Sequence, residues 1–306
     1  MHISLTGDLG SGKSSVAKIL CDKLNYKFIS TGVIHRQLGL EKGMNTLEFN
    51  KYINDNTEID HYIDQHLKDI NESNESYILD SRLAWFFVNK SFKVYLIAFK
   101  QIAAQRIVSD KNRIGEPNVK DVEIKIIETE KRRTIENLRF EKNYGAKCNN
   151  LTHFDLIIDT SFVSTEEVAQ MILTAYSKWK QNLSYTKIWF STPRIYPLKN
   201  INIIDSEAAK EIRKSMEKQG FDENFPISLL KLSDYYFIYD GHKRFSASLF
   251  NQLSIIPVEI ITDNKEDIKN ELSVEQYVKE NYKLNTIHDW ETTHNFKYFE
   301  YPTLFN

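Results

Sequence analysis

Gly7-Asp8-Leu9-Gly10-Ser11-Gly12-Lys13-Ser14 is the stretch on which the reading of the first half of this 306-residue chain turns. The apolar run His2 to Leu5 before it predicts a strand. Ser14 to Leu24 after it, with Val16, Ile19, Leu20 and Leu24 at helical spacing, predicts a helix. A helix beginning there aims its unpaired amides and positive dipole end at an anion, so phosphate oxygens are held with few side chains. Gly7, Gly10 and Gly12 permit a tight turn and close backbone approach, with Asp8, Ser11 and Ser15 as the remaining loop candidates for nucleotide binding. Lys13 is expected to reach the β and γ phosphates, and Ser14 to ligate Mg²⁺. All eight positions fit the phosphate-loop pattern, so ATP and Mg²⁺ are the expected ligands.

Working outward, further strands are predicted at Tyr26 to Ile29, Ser76 to Leu79, Val94 to Ala98 and Leu156 to Ile158, separated by charged helical stretches. This alternation predicts an α/β domain with a mostly parallel sheet covered by helices. An amphipathic helix from Ser164 to Trp179 closes it, which places the first domain at residues 1–180. Three of the ten glycines fall between Gly7 and Gly12, whereas five of the six prolines follow residue 192, so the second half is a different architecture. There a helix is predicted over Glu207 to Gln219, stopped by Gly220. Strands are predicted at Pro226 to Leu230, Tyr235 to Tyr239 and Ile256 to Ile261, with a short helix at Arg244 to Phe250. These make a small α+β domain at residues 185–262. Residues 263–306 read as a charged helix, Lys265 to Tyr282, and an irregular aromatic tail.

The bulk numbers narrow the function classes. A net charge of -2 gives no global reason to bind DNA or an anionic membrane, although local basic clusters can still hold phosphate. Cys21 and Cys148 lack a metal-type spacing and imply no disulfide framework. Met1 runs directly into a strand without leader or spanning segment, so a cytoplasmic protein with no membrane partner is expected. The sequence leaves the oligomeric state open.

The glycine loop identifies a donor site and leaves the acceptor undetermined. Ser30, Thr31 and Gly32, with Arg36 one helical turn later, suit a small acceptor. Asp80 and Arg82 lie at the C-terminal end of a predicted strand, where open α/β sheets bind ligands. Arg82 suits an acceptor phosphate, and Asp80 suits orienting the acceptor or holding metal-bound water, with a surface ion pair as the alternative. Arg106, Arg113, Arg132, Arg133 and Arg139 flank Gly115-Glu116-Pro117 and read either as a mobile cationic lid or as solvated helix faces. For Lys131 and Arg133, mixed with Glu128, Glu130 and Glu136, the solvated face is the better reading.

In their order, these segments resemble the cytidylate kinases, particularly the short archaeal-type branch. The likeness is carried by the glycine loop, Ile29-Ser30-Thr31-Gly32 with Arg36, Asp80-Ser81-Arg82-Leu83-Ala84-Trp85, Arg139-Phe140 with Tyr144-Gly145, and Phe154 to Ser161. It spans nearly all of residues 1–180 and implies transfer of the γ-phosphate of ATP to a nucleoside monophosphate. Ser30, Thr31, Arg36 and Arg82 would then bind the acceptor. Lys13, Asp80, Arg82, Arg106, Arg132 and Arg139 would form the catalytic set. The chain departs from the family where Asp80-Ser81 replaces Glu-Gly, where Asp110 stands at a position that is usually arginine, and where Arg132-Arg133 replaces Arg-Glu. Ala146-Lys147 follows Tyr-Gly in place of an aspartate, which predicts reversed charge in the acceptor region.

In the second domain, Asp240-Gly241-His242-Lys243-Arg244 delivers a strand through a glycine turn into a helix start, a second anion-site pattern whose alternative is an ordinary Asp-Gly turn. With Ala247 and Ile256-Pro257-Val258, the region from about Thr192 to Ile261 resembles the ParB N-terminal and sulfiredoxin-like fold, which includes free-serine kinases. That resemblance implies nucleotide phosphate on Gly241, His242, Lys243 and Arg244. A cysteine needed for sulfiredoxin chemistry is replaced by His242, and the short acidic remainder disfavours a DNA-partition module. The carboxylate expected after the first strand is missing, with Asp205 or Glu207 as substitutes. Three functions follow: an ATP-dependent small-molecule kinase centred on Lys13, a serine-type kinase centred on the second domain, and a nucleotide-sensing regulator without catalysis. His288, Trp290 and His294 match no ligand spacing and read as packing residues.

Overall fold

The computed structural model describes residues 1–53, 56, 58–110, 119, 121–204, 206–261, 268 and 272–304. The chain divides into two compact units, Met1–Tyr185 and Thr186–Asn306. Arg113, Gly115-Glu116-Pro117, Asp205 and most of Lys265 to Glu271 lie outside the described residues.

The first unit begins with β1 (His2–Gly7), α1 (Lys13–Leu24), β2 (Lys27–Ser30), α2 (Thr31–Glu41), α3 (Thr46–Tyr52) and α4 (Glu58–Asn71). It continues through β3 (Tyr77–Asp80), α5 (Ala84–Phe87), β4 (Ser91–Ile97), α6 (Lys100–Ser109), α7 (Val122–Tyr144), β5 (Leu156–Asp159) and α8 (Thr165–Lys180). Its strands lie in the order β2-β3-β1-β4-β5, every neighbouring pair parallel. The predicted strands are therefore all present, shifted by a few residues at their ends. Ile3, Leu5, Ile78, Leu79, Val94, Leu96, Leu156 and Ile158 are fully buried, as a sheet covered on both faces requires. From β1 the chain winds outward to β2 and returns through β3, and only then crosses to β4 on the other side of β1. The loop after β1 and the end of β3 thus sit at the point where the winding reverses, where such sheets form their ligand crevice.

In the second unit are β6 (Ile188–Ser191), β7 (Ile195–Tyr196), α9 (Ile201–Ile204), α10 (Glu207–Gln219), β8 (Ile227–Leu232), β9 (Tyr235–Asp240), α11 (His242–Phe250), β10 (Ile255–Ile261), α12 (Val274–Asn281) and α13 (Leu284–His294). The sheet is mixed, in the order β6-β10-β8-β9-β7. β8 pairs antiparallel with β9 and parallel with β10, and Gly220 ends α10 where the sequence places the stop.

The C-terminal segment differs from the expectation of one charged helix followed by an irregular tail. Its described residues hold two helices, and Ser273 and Gln276 form a capping box that starts the first of them at Val274. Val274, Val278, Ile287 and Tyr298 join Tyr196, Leu230 and Phe237 in one buried cluster. Trp290 is fully buried and its Nε1–H donates to Lys199 O at 2.8 Å. The Tyr298 hydroxyl donates to Ile195 O at 2.8 Å. Residues 272–304 are therefore part of the second core rather than an appendage. The tail's aromatic content is the signal, because its rings supply apolar area together with polar tips that reach backbone carbonyls. Trp290→Ala should lower the unfolding free energy of the second unit by about 3–5 kcal/mol, read from its urea transition by circular dichroism. A change below about 1 kcal/mol would contradict this assignment of the tail.

Candidate functional site

The glycine loop is folded as a cradle at the head of α1. Gly10 (φ +80°) and Gly12 (φ +84°) hold the left-handed conformation that glycine adopts without strain, and Gly12 is the residue from which α1 starts. A Cβ on Gly10 would come within 2.5 Å of Ala103 O, so this turn also needs glycine for space. Lys13 arches back over its own loop, where Nζ donates to Asp8 O at 2.7 Å and Gly7 O at 3.3 Å. The Ser14 Oγ–H donates to Asp80 Oδ2 at 2.7 Å, which ties the loop after β1 to the end of β3. Ser30 Oγ, at the end of β2, reaches the same carboxylate oxygen at 3.4 Å. A hydroxyl and a carboxylate oxygen side by side at a phosphate cradle are the hard oxygen donors that Mg²⁺ takes when phosphates and water complete its shell. The donor set thus fits Mg²⁺ bound with a nucleotide. Among the described residues no group of three or more His, Cys, Asp or Glu side chains forms a metal cage independent of one.

Asp8 has a different task from the one its place in the loop suggested. Its carboxylate accepts from the backbone N–H of Ala98 at 2.9 Å and lies 2.8 Å from Arg133 Nη1. It therefore anchors the loop to the end of β4. Arg133, expected to be solvated, instead joins this pair and also donates to the Tyr95 hydroxyl and to Asn149. Lys131 is exposed, as expected.

One cavity of about 670 Å³ takes in Gly10 to Ser15, Ser30, Thr31, Arg36, Asp80, Arg82, Arg106, Arg132 and Arg139. Asp80 and Arg82 do not form the surface ion pair that was their alternative reading. Arg82 Nη1 donates to Glu136 Oε2 at 3.1 Å and Nη2 to Asn137 at 2.7 Å, while Asp80 is buried beside Ser14. Arg132 Nε donates to the other oxygen of Glu136 at 2.7 Å. Arg106 Nη2 donates to Thr160 O at 2.7 Å, fixing its guanidinium beside the glycine loop, since the Thr160 hydroxyl lies 3.0 Å from Ser11 O. Arg139 is buried between Asp60, with Nε 3.1 Å from Oδ2, and Asn50. Asp110 lines the cavity at the end of α6. Lys147 does not line it. Its side chain is exposed, 3.8 Å from Glu141, so the expected reversal of charge at the acceptor region does not occur there.

Sequence reasoning missed Glu136, His35, Asp60 and Asp64, all of which line this cavity. A usable signal lay in α4, where Asp60, Ile63, Asp64 and Leu67 fall at the i, i+3, i+4, i+7 spacing of a buried stripe, so two carboxylates stand where apolar residues are expected. His35 is buried against Phe49, and no hydrogen bond from the described residues reaches either ring nitrogen. Burial above all, with Arg132, Arg139 and Arg36 adding to it against the opposing pull of Glu136, lowers it to about 4, which leaves the ring neutral at pH 7.

The second glycine turn is arranged differently from the first. Gly241 (φ +98°) caps α11, but His242 turns inward, where Nε2 accepts from the backbone N–H groups of Leu198 and Lys199 at 3.2 and 3.3 Å. Burial, with Lys199 adding to it, lowers His242 to about 3, so it supplies no cation. Arg244 folds back under Gly241 to Asp240 at 3.1 Å and to Pro226 O. The three basic side chains do not converge, and Lys243 is the one left outside those contacts.

Residues 3–128 match the family model described as an AAA domain. The chain is 36% identical over 176 residues to a cytidylate kinase of Archaeoglobus fulgidus, covering 57% of this chain and 94% of that protein. It is 37% identical over 180 residues to a cytidylate kinase of Sulfolobus acidocaldarius, covering 58% of this chain and 95% of that one. Among the described residues no helix is long and apolar enough to cross a membrane.

Burial alone would raise the Glu136 carboxyl, but Arg132 and Arg82 overcome it and hold it at about 2, below the ordinary 4.5. A folded-state value that is depressed contributes stability above the unfolded value and loses it as pH falls from about 4.5 to about 2. The contribution at pH 7 is on the order of 3 kcal/mol. Glu136→Gln should therefore destabilise the first unit strongly at pH 7 and much less near pH 2.5. Urea melts at the two pH values test this, and equal losses at both would contradict it.

Proposed function

The chain belongs, through its N-terminal part, to the cytidylate kinase family, and we propose that it transfers the γ-phosphate of ATP to a cytidylate-like nucleoside monophosphate. It is an ATP-dependent kinase that uses Mg²⁺. The observation that carries the choice of a phosphate-bearing acceptor is the fixed pair of guanidiniums, Arg82 and Arg132, on the two oxygens of Glu136 in the cavity of the glycine loop. Phosphoryl transfer needs little covalent chemistry from the protein. It needs alignment and cations where negative charge accumulates.

The chain's own groups supply both. The head of α1 and the loop amides bind the donor phosphates, and Lys13 exchanges its loop carbonyls for phosphate oxygens. Ser14 and Asp80 would hold Mg²⁺, which spreads the charge of the phosphates and helps align them. Arg36 and Arg82 orient the acceptor phosphate, and Arg106 and Arg132 stand over the line of transfer. Lys13→Ala should reduce ADP formation in the presence of CMP at least 10³-fold while leaving the circular dichroism spectrum unchanged. Activity within tenfold of wild type would remove the glycine loop from the reaction.

For the second unit we propose the ParB and sulfiredoxin-like fold with a nucleotide phosphate at Gly241, Lys243 and the head of α11. What favours it is the left-handed Gly241 at the start of a helix after a strand. The inward His242 removes one cation and argues against catalysis of the serine-kinase type. Calorimetric titration of the full chain with ADP is expected to give two sites, of which Lys243→Ala removes one. A single site in both proteins would overturn this.

A further inference from the structure

One end of the cavity lies where α4 meets α7, with Asp60 paired to Arg139 and the Tyr144 hydroxyl donating to Asp64 Oδ2 at 2.5 Å across those two helices. With the donor phosphates assigned to the glycine loop, this is the end left for the acceptor. Ile63 and Leu67 from α4, Phe140 from α7, and Leu83 give this end apolar walls. The charged phosphates belong at the other end, with the glycine loop, Arg82 and Arg132. A slot of apolar walls with a few fixed polar groups at its edge suits a planar heterocycle.

The polar groups there are not equally open to a ligand. Asp60 is held by Arg139, which also donates to Asn50. Asp64 is held at Oδ2 alone, and no hydrogen bond within the described residues reaches its Oδ1. Burial raises the Asp64 carboxyl from its ordinary value, and the Tyr144 O–H works against that rise by bonding to the charged form. An ionised carboxylate accepts hydrogen bonds and cannot donate one. It therefore welcomes an exocyclic amino group and opposes a carbonyl oxygen at the same place.

We propose that Asp64 is the specificity-determining residue for the acceptor base. Its free carboxylate oxygen accepts from an amino group on the ring, and Tyr144 acts as the positioning residue that aims it. The inference rests on the acceptor being a nucleoside monophosphate, and it adds which base edge is read and by which atom. Cytosine carries an amino group where uracil carries a carbonyl, so CMP against UMP isolates this contact. Buried polar groups left unpaired give large discrimination between such analogues.

The test is the ratio of kcat/KM for CMP over UMP, measured with saturating ATP and Mg²⁺ for wild type, Asp64→Asn and Tyr144→Phe. Wild type should favour CMP at least tenfold. In Asp64→Asn, whose amide can donate to the uracil oxygen, the ratio should fall at least tenfold while the KM for ATP stays within twofold. Tyr144→Phe keeps the carboxylate but loosens it, and should lower the ratio about threefold, which keeps the inference testable if Asp64→Asn does not fold. A wild-type ratio near one, or an unchanged ratio in a folded variant, overturns the role of Asp64 and leaves the kinase reading standing. A wild type that phosphorylates no nucleoside monophosphate overturns the acceptor reading itself.

Discussion

The hydrogen bond from the Ser14 hydroxyl to Asp80 Oδ2 joins two segments sixty-six residues apart at the place where the parallel sheet reverses its winding. It sets the head of α1, and with it the loop amides and Lys13, against the end of β3. Ser30 approaches the same oxygen from β2, so three adjacent strands deliver their C-terminal ends to one carboxylate. The glycine loop, the oxygens proposed to hold Mg²⁺ and the arginines proposed for the acceptor are tied together through that junction. Asp8 secures the other flank by clasping the end of β4, so the loop is fixed from both sides of β1.

The second constraint is electrostatic. Glu136 gathers Arg82 and Arg132, while Asp60 gathers Arg139, in a cavity where unbalanced cations would repel one another. A carboxylate buried between two guanidiniums is costly to remove, because each partner is then left charged in a poorly solvated place. The cations that line the cavity are thus offset in part by carboxylates of the same lining, Asp60, Asp64, Asp80, Asp110 and Glu136.

What was legible in the sequence was local. The glycine loop declares its turn, its helix and its lysine within eight residues, and the period of the apolar residues gave the five parallel strands of the first unit. Asp80 and Arg82 were readable because a strand end fixes where they point. Glu136, Asp60 and Asp64 were not, since their burial is decided by which faces of α4 and α7 meet, and that pairing is set by contacts between distant segments. Arg133 was misread for the same reason, its partner Asp8 being far away in the chain. In the second unit β8, β9, β10 and the glycine turn before α11 were legible, whereas β6 and β7 were not predicted. The inward turn of His242 was not legible either, because the amides that claim it come from the segment after β7. The tail was misjudged because aromatic residues without a clear period resemble a loop until the core they complete is seen.

The central claim is that phosphate moves from ATP to the phosphate of a nucleotide acceptor in the cavity shared by the glycine loop and Glu136. Phosphorus-31 NMR of the full chain mixed with ATP, CMP and Mg²⁺ tests it most directly, because it follows the destination of the transferred group. The account predicts that the β-phosphorus signals of ADP and CDP grow together in equal amounts. ADP appearing with inorganic phosphate and no CDP would contradict it.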